Sequence, residues 1–232
     1  MTHAPDAVAS VSGGGRAPAV RLGIHETPGI AHGVIARAGL HPRDFELVPY
    51  DIRDPFRPLR TGQVDVMIVK YGLREDDITV GLPVDFDERA VLMDAEHPLA
   101  GRASLSIEDV AAYPVFERPE GFPSYVWDLI VPPRSPAGAP IRRVHPLTTV
   151  PALVHTLTTT QAVHVSFRSV EAALPPRIRA VPLHDVPSAP ISLAWPSGRE
   201  LPGPVRAFLT AAEAGAVPDP AVRRPRRTTP PC

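Results

Sequence analysis

Short apolar runs alternate with amphipathic stretches along most of this chain. Residues 20–24, 45–50 and 64–69 are short runs rich in β-branched and aromatic residues, which is the pattern of strands. Between the first two, Ile30, Val34, Ile35 and Ala38 recur at helical spacing. That predicts a helix with one face on a sheet. Thr27 is the expected N-cap, Pro28 the first helical residue and Gly39 the stop. Asp54-Pro55 starts a second short helix by the same logic, and Gly62 closes it. The run 64–69 is nearly all apolar, as a parallel strand covered on both faces must be. The order strand–helix–strand–helix–strand predicts a doubly wound α/β unit.

Residues 78–86 and 89–94 read as two further strands, the second an antiparallel partner. The pattern then resets. An exposed polar turn, HPLAG at 97–101, leads to a short helix with a capping box, Ser106 to Asp109. A new series follows: strand 114–117, helix 123–130, a proline-rich loop, strand 141–145, helix 150–157, strand 162–165, a short helix near Ser169 and strand 180–183. Residues 189–195 are expected to cross back to the first unit, and 204–214 form a last amphipathic helix with Val205, Phe208 and Leu209 on one side. The expected organisation is a disordered leader at 1–18, a first lobe from 19–98 plus 188–215, a second lobe at 99–187, and a disordered Pro/Arg-rich tail at 216–232.

Composition narrows the functional classes. The chain has 232 residues with 44% hydrophobic content, enough for two cored lobes. A net charge of −1 provides no overall field toward nucleic acid or membranes. Cys232 is the only cysteine, so no internal disulfide or cysteine metal site is expected. No apolar run approaches a membrane span, and the N-terminal residues lack the basic start and apolar core of a signal peptide. A cytoplasmic location is the expectation. His145, His155 and His164 have no ligand spacing, so no metal and no cofactor is expected. The arginines at 223–227 read as a solvated tail.

In open α/β units, ligands bind beyond the carboxyl ends of parallel strands, where helix N-termini favour anions. Four patches fall there: His25, Glu26 and Thr27; Lys70, the only lysine, with Tyr71; Arg118, Gly121, Phe122 and Ser124; and Thr148 with Thr149. His164, in an apolar strand, completes the candidate ligand-binding set. Plainer readings stand beside these: Thr27 as a cap alone, and Lys70 as a solvated or anion-pairing lysine. Tyr125 and Trp127 add aromatic surface.

The wording from 94 to 119 is specific. HPLAG, then S-x-x-D-V-A, then a proline, resembles the middle of the effector-binding domain of LysR-type transcriptional regulators. LRTGQVDVMIV at 59–69 is similar to that family's G-x-[LV]-D strand entry. The resemblance runs from about 20 to about 214. It implies a type 2 periplasmic-binding-protein fold, an α/β architecture of two Rossmann-like lobes with a ligand cleft between them. It also implies that the four patches surround an effector, with a carboxylate at the position of Thr27. One stretch departs from the family: where a glycine-rich strand entry is usual, residues 158–167 read TTTQAVHVSF. The resemblance includes no helix-turn-helix, so a stand-alone domain is expected, with no direct DNA binding and no membrane. Its expected partners are a small, anionic metabolite and either a second copy of itself or a separate regulator. The alternative is a biosynthetic enzyme reusing the fold, with Thr27, Lys70, Glu117 and His164 supplying acid/base groups.

Overall fold

A computed structural model describes residues 20–25 and 27–220. The leader, Glu26 and the arginine cluster at 223–227 lie outside the described residues.

The first sheet has five strands. Strand β1 (Val20–Ile24) and helix α1 (Gly29–Arg37) lead to β2 (Phe45–Pro49). The short helix α2 (Arg57–Arg60) then leads to β3 (Val66–Lys70) and β4 (Ile78–Asp87). β1 pairs parallel with both β2 and β3. Successive residues of β3 face opposite cores. Val66 and Ile68 join the core beneath α1, whereas Met67 and Val69 join the core that holds Phe56 and Leu59 beside α2. That two-sided cover is why the run is apolar throughout.

Strand β5 (Arg89–Asp94) leaves this sheet. It was expected on the first-lobe side of a boundary at residue 98, as a partner to the strand before it. Instead it is the middle strand of a second sheet, antiparallel to β8 and β9. Only Glu88 separates β4 from β5, and one residue cannot make even a two-residue hairpin turn. The chain runs on into new neighbours rather than folding back, and all six residues of β5 are buried there.

Helix α3 (Ile107–Ala111), β6 (Val115–Phe116), α4 (Ser124–Ile130), β7 (Arg143–His145), α5 (Val150–Thr159), β8 (His164–Phe167) and β9 (Ile178–Pro182) build the rest of this half. β6 and β7 pair parallel. A bond from the Val163 N–H to the Pro114 carbonyl, 3.0 Å, links them to β8. Strand β10 (Ala189–Pro196) then returns to the first sheet between β3 and β4, antiparallel to both. Helix α6 (Gly203–Ala214) lays Val205, Phe208 and Leu209 on the α1 side of that sheet. The first half thus has one five-stranded sheet, β2-β1-β3-β10-β4, and the second an antiparallel sheet, β8-β5-β9, beside the parallel pair β6-β7.

Several local expectations change. The helix after β1 starts at Gly29 with Pro28 as N-cap, and no side chain caps it, so Thr27 is not a cap. Phe56, not Asp54, precedes α2. The HPLAG turn is exposed only in part: Pro98 and Gly101 face solvent, whereas His97, Leu99 and Ala100 are buried. The His97 Nδ1 accepts from the Leu99 N–H at 3.2 Å, and its ring meets Tyr113 edge-on at 4.6 Å. The capping box at the start of α3 is formed as expected: the Ser106 hydroxyl faces the Asp109 N–H and also accepts from Glu108, and the Asp109 carboxylate takes the Ser106 N–H at 2.9 Å.

Burial pulls the His97 pKa below its ordinary value, against the opposing influence of a hydrogen bond at the Gln161 backbone and of Asp94. The unfolded chain therefore binds a proton that the folded chain resists once pH falls through about 6.5. Stability is lost on acidification in that window. We expect His97→Asn, which can still accept from Leu99, to lose less stability than the wild type between about pH 7.5 and 5.5. Urea midpoints at the two values measure it.

Candidate functional site

The carboxyl ends of β1 and β3 face those of the second half across a cleft of about 330 Å³. Its first wall comes from Ile24, His25, Thr27 and Ile30 around the start of α1, from the loop Tyr50 to Phe56, and from Lys70. Its second wall comes from Phe122, Val126 and Trp127 around α4, from Thr148 to Leu153 at the start of α5, and from His164, Ser166 and Phe167 of β8. All four sequence-predicted patches send at least one residue to it. His25, Thr27, Lys70, Phe122, Thr148, Thr149 and His164 line the cleft. Tyr71, Arg118, Gly121 and Ser124 do not.

Each absence has a physical cause. Tyr71 turns away, with φ of 67°, an unusual conformation for a bulky residue. Its hydroxyl accepts from Arg89 Nη1 at 2.6 Å. Arg118 donates to the Pro119 and Phe122 carbonyls, closing its own loop. Ser124 is the first residue of α4, and it is the preceding Pro123 that lines the cleft. Gly121 faces the other half instead. Its φ is 77°, and a Cβ there would sit 1.9 Å from the Arg53 carbonyl oxygen. The two rims meet at this glycine.

Arg89, 2% exposed, lies behind the cleft at the first crossover. It donates to the Leu129 carbonyl at 3.1 Å, to Ile130 by a short bond, and through Nε to the Ser166 carbonyl at 3.2 Å. The first two are terminal carbonyls of α4, which lack partners within the helix and carry its negative dipole end. Burial lowers the Arg89 pKa, opposed by the interaction with Tyr71 and by Asp87; burial raises that of Tyr71.

Lys70 is held as its plainer reading expects. Its Nζ is 3.0 Å from Asp87 Oδ2 and 3.8 Å from the centre of the Phe167 ring. Asp87 also accepts from the Ser169 hydroxyl at 2.5 Å and the Ser169 N–H at 3.2 Å. At the mouth, hydrogen bonds from Arg53 hold the Asp51 carboxyl down to about 2. Lys70 is the only lysine or arginine side chain among the described residues lining the cleft, and its charge is matched.

The floor differs from the family pattern for a visible reason. Thr158, Thr159 and Thr160 donate to the carbonyls of Val154, His155 and Thr156 at 2.9, 2.7 and 2.7 Å. Hydroxyls satisfy the end of α5, and its C-cap Thr160 stays extended at φ −136°. No left-handed glycine is needed. β8 then places His164 and Ser166 on the cleft side. The His164 ring packs edge-on to Phe116 at 5.2 Å and stacks on Trp127 at 6.3 Å. Glu117 is exposed and outside the wall, so the four acid/base candidates are not brought together. No group of three or more metal-ligating side chains occurs among the described residues.

The loop from Tyr50 to Phe56 was missed. It follows the carboxyl end of β2, so the strand-end rule that marked the other patches also marks it.

A model of the LysR substrate binding domain matches residues 14–216. The chain belongs to the LysR substrate-binding domain family. The effector-binding domain of QuiR, solved with shikimate, superposes with a TM-score of 0.62 at 18% identity, covering 85% of this chain and 96% of that one. CbnR, a LysR family transcriptional regulator, gives 0.66 at 16% identity, covering 86% and 70%. The CcmR regulatory domain of Synechocystis PCC6803, solved with 2-PG, gives 0.59 at 16% identity, covering 85% and 96%. These likenesses confirm the α/β type 2 periplasmic-binding fold. Among curated proteins, no sequence matches. No helix among the described residues is long and apolar enough to cross a membrane.

Two variants test this geometry. Arg89→Met removes the Arg89 hydrogen bonds to the Leu129, Ile130 and Ser166 carbonyls and to the half-buried Tyr71 hydroxyl, and should cost about 3 kcal/mol of stability. Urea unfolding measures it, and a loss under about 1 kcal/mol would contradict the assigned role. Gly121→Ala sets a methyl group against the Arg53 carbonyl and should hold the rims apart. Small-angle X-ray scattering should show a larger radius of gyration than the wild type, with helix content unchanged by circular dichroism.

Proposed function

We propose that this domain is a small-molecule sensor of LysR type, taking an effector into the cleft and passing the change in lobe spacing to a partner. The observation that carries this reading is the cleft itself, walled by helix starts from both halves. A ligand touching both walls favours the arrangement in which they approach, and does so by its differential affinity for that arrangement. The rim contact at Gly121 and the two crossovers at Glu88 and after β9 give such a movement its stop and its hinges.

Within the cleft, we assign the polar end of the effector to Thr27, Thr148 and Thr149. Thr27 caps nothing, which leaves its hydroxyl for a ligand. Thr149 holds the Ala152 N–H at 3.2 Å and fixes the start of α5. These hydroxyls can hold a hydroxyl, carbonyl or carboxylate oxygen, and the neighbour solved with shikimate supports a small ring-bearing effector. Lys70 adds little to an anion, because Asp87 already neutralises that charge. His25 and His164 serve as wall and floor, and Phe122 as an apolar flank. The partner in this reading is a second copy of the chain or a DNA-binding segment, in line with CbnR, whose full-length form has been solved with its target DNA.

A thermal-shift panel of small aromatic, alicyclic and carboxylate-bearing metabolites tests the reading. A true effector at about 100 times its Kd adds about 2.7 kcal/mol to the folded state. Val150 is half exposed at the mouth, so Val150→Trp should fold normally and abolish the shift. Stabilisation that survives Val150→Trp would place the ligand elsewhere.

A further inference from the structure

Resting on the sensor reading, we propose that the cleft selects an uncharged, ring-bearing apolar molecule over an anion of the same skeleton. Its walls are built for flat apolar surface. Tyr50 and Phe56 contribute rings from one half, and Phe122, Trp127 and Phe167 from the other. Ile24, Ile68, Val126, Ile130 and Leu153 fill the spaces between them. A cavity of about 330 Å³ sits at the lower end of the roughly 300–1,000 Å³ typical of small-ligand sites. It suits a two- or three-ring compound.

The charges point the same way. A buried anion needs compensation; the starts of α1 and α5 offer backbone donors, but no cationic side chain of the wall is left unengaged. Lys70 has Asp87 at 3.0 Å and the Phe167 ring beneath it. Arg118, which the sequence offers as an anion ligand, turns its guanidinium into its own loop. Arg89 points at helix-end carbonyls behind the wall. Asp51 and Arg53, at the entrance, neutralise each other. An entering anion must compete with Asp87 for Lys70. A neutral ring need not, and the threonine hydroxyls can still hold one hydroxyl or carbonyl at its end.

A matched pair of probes tests this. N-phenyl-1-naphthylamine is uncharged, and 8-anilinonaphthalene-1-sulfonate is the same skeleton carrying a sulfonate. Fluorescence titrations of the purified protein at about pH 8, where ordinary histidines are neutral, should give one-to-one binding of the neutral probe. Its Kd should be about tenfold below that of the sulfonate, and Val150→Trp should weaken it at least about fivefold. Asp87→Asn, which releases the Lys70 charge, should narrow the preference. Sulfonate binding as tight as or tighter than neutral binding, both weakened by Val150→Trp, would overturn the charge selectivity while leaving the cleft as the site. Failure of both probes to saturate, or binding of either strength untouched by Val150→Trp, would overturn the cleft reading and this proposal together. Should Asp87→Asn not fold, the wild-type ratio decides alone.

Discussion

One buried guanidinium holds the two halves in register. Arg89 begins the strand that carries the chain from the first sheet into the second, and it reaches both ways. Toward the second half it closes α4 by donating to Leu129 and Ile130; toward the first it donates to the Tyr71 hydroxyl. A cation so deeply buried is tolerated only when its donors are used, and here the acceptors are backbone carbonyls, which cannot leave without unwinding the helix. Arginine suits the place because its fork supplies several fixed donors and stays charged even with a lowered pKa. Tyr71 in turn is kept in a left-handed conformation that costs of the order of 1–3 kcal/mol, and that turn sends the chain out of β3 toward the loop before β4. The crossover, the end of α4 and the end of β3 are thus one unit.

A second polar unit lies beside it. Lys70 from β3, Asp87 from the end of β4 and Ser169 from the turn after β8 converge on one another. Tyr125 adds a third tie farther out: its hydroxyl accepts from the Arg74 N–H at 2.9 Å and meets Glu75 at 3.0 Å. Hydrogen bonds of this kind have strict directions, so they define a preferred spacing of the halves more sharply than apolar contact would. The apolar cleft wall, by contrast, tolerates a change of contents. Rigid polar ties behind a soft apolar wall are what a domain needs if occupancy is to alter spacing without altering the fold.

Much of the fold was legible because each half obeys local rules. The alternation of apolar runs with helical periodicity places β1 to β3 and α1, and the capping box places α3. The return of β10 follows from a buried run that fits only between strands already formed. What was not legible was the point of crossing. Residues 78–94 read as two strands side by side, and periodicity says nothing about which sheet a strand joins. The decisive fact is the single residue between them, a steric limit on turning rather than a preference of side chains. Thr27 was misread for a related reason: Thr-Pro fits a capped helix start, but the first helical residue is two positions later, which frees the hydroxyl.

The cleft was legible in position and illegible in character. Strand ends and helix starts follow from topology, so His25, Thr27, Phe122, Thr148 and Thr149 could be named from sequence alone. Charge could not be read that way, because the effect of a lysine or arginine depends on what faces it. Lys70 looked available until Asp87, seventeen residues on, was seen opposite it; Arg118 looked available until its own loop consumed it. The run of threonines at 158–160 shows the same separation. Its sequence announces a lost glycine motif, while its structure shows hydroxyls doing the work of capping α5, so that β8 enters the cleft unchanged in path but altered in side chains. Position in this fold is inherited from backbone wiring, whereas the charge of the cleft wall is set by pairings between residues distant in sequence, Lys70 with Asp87 above all.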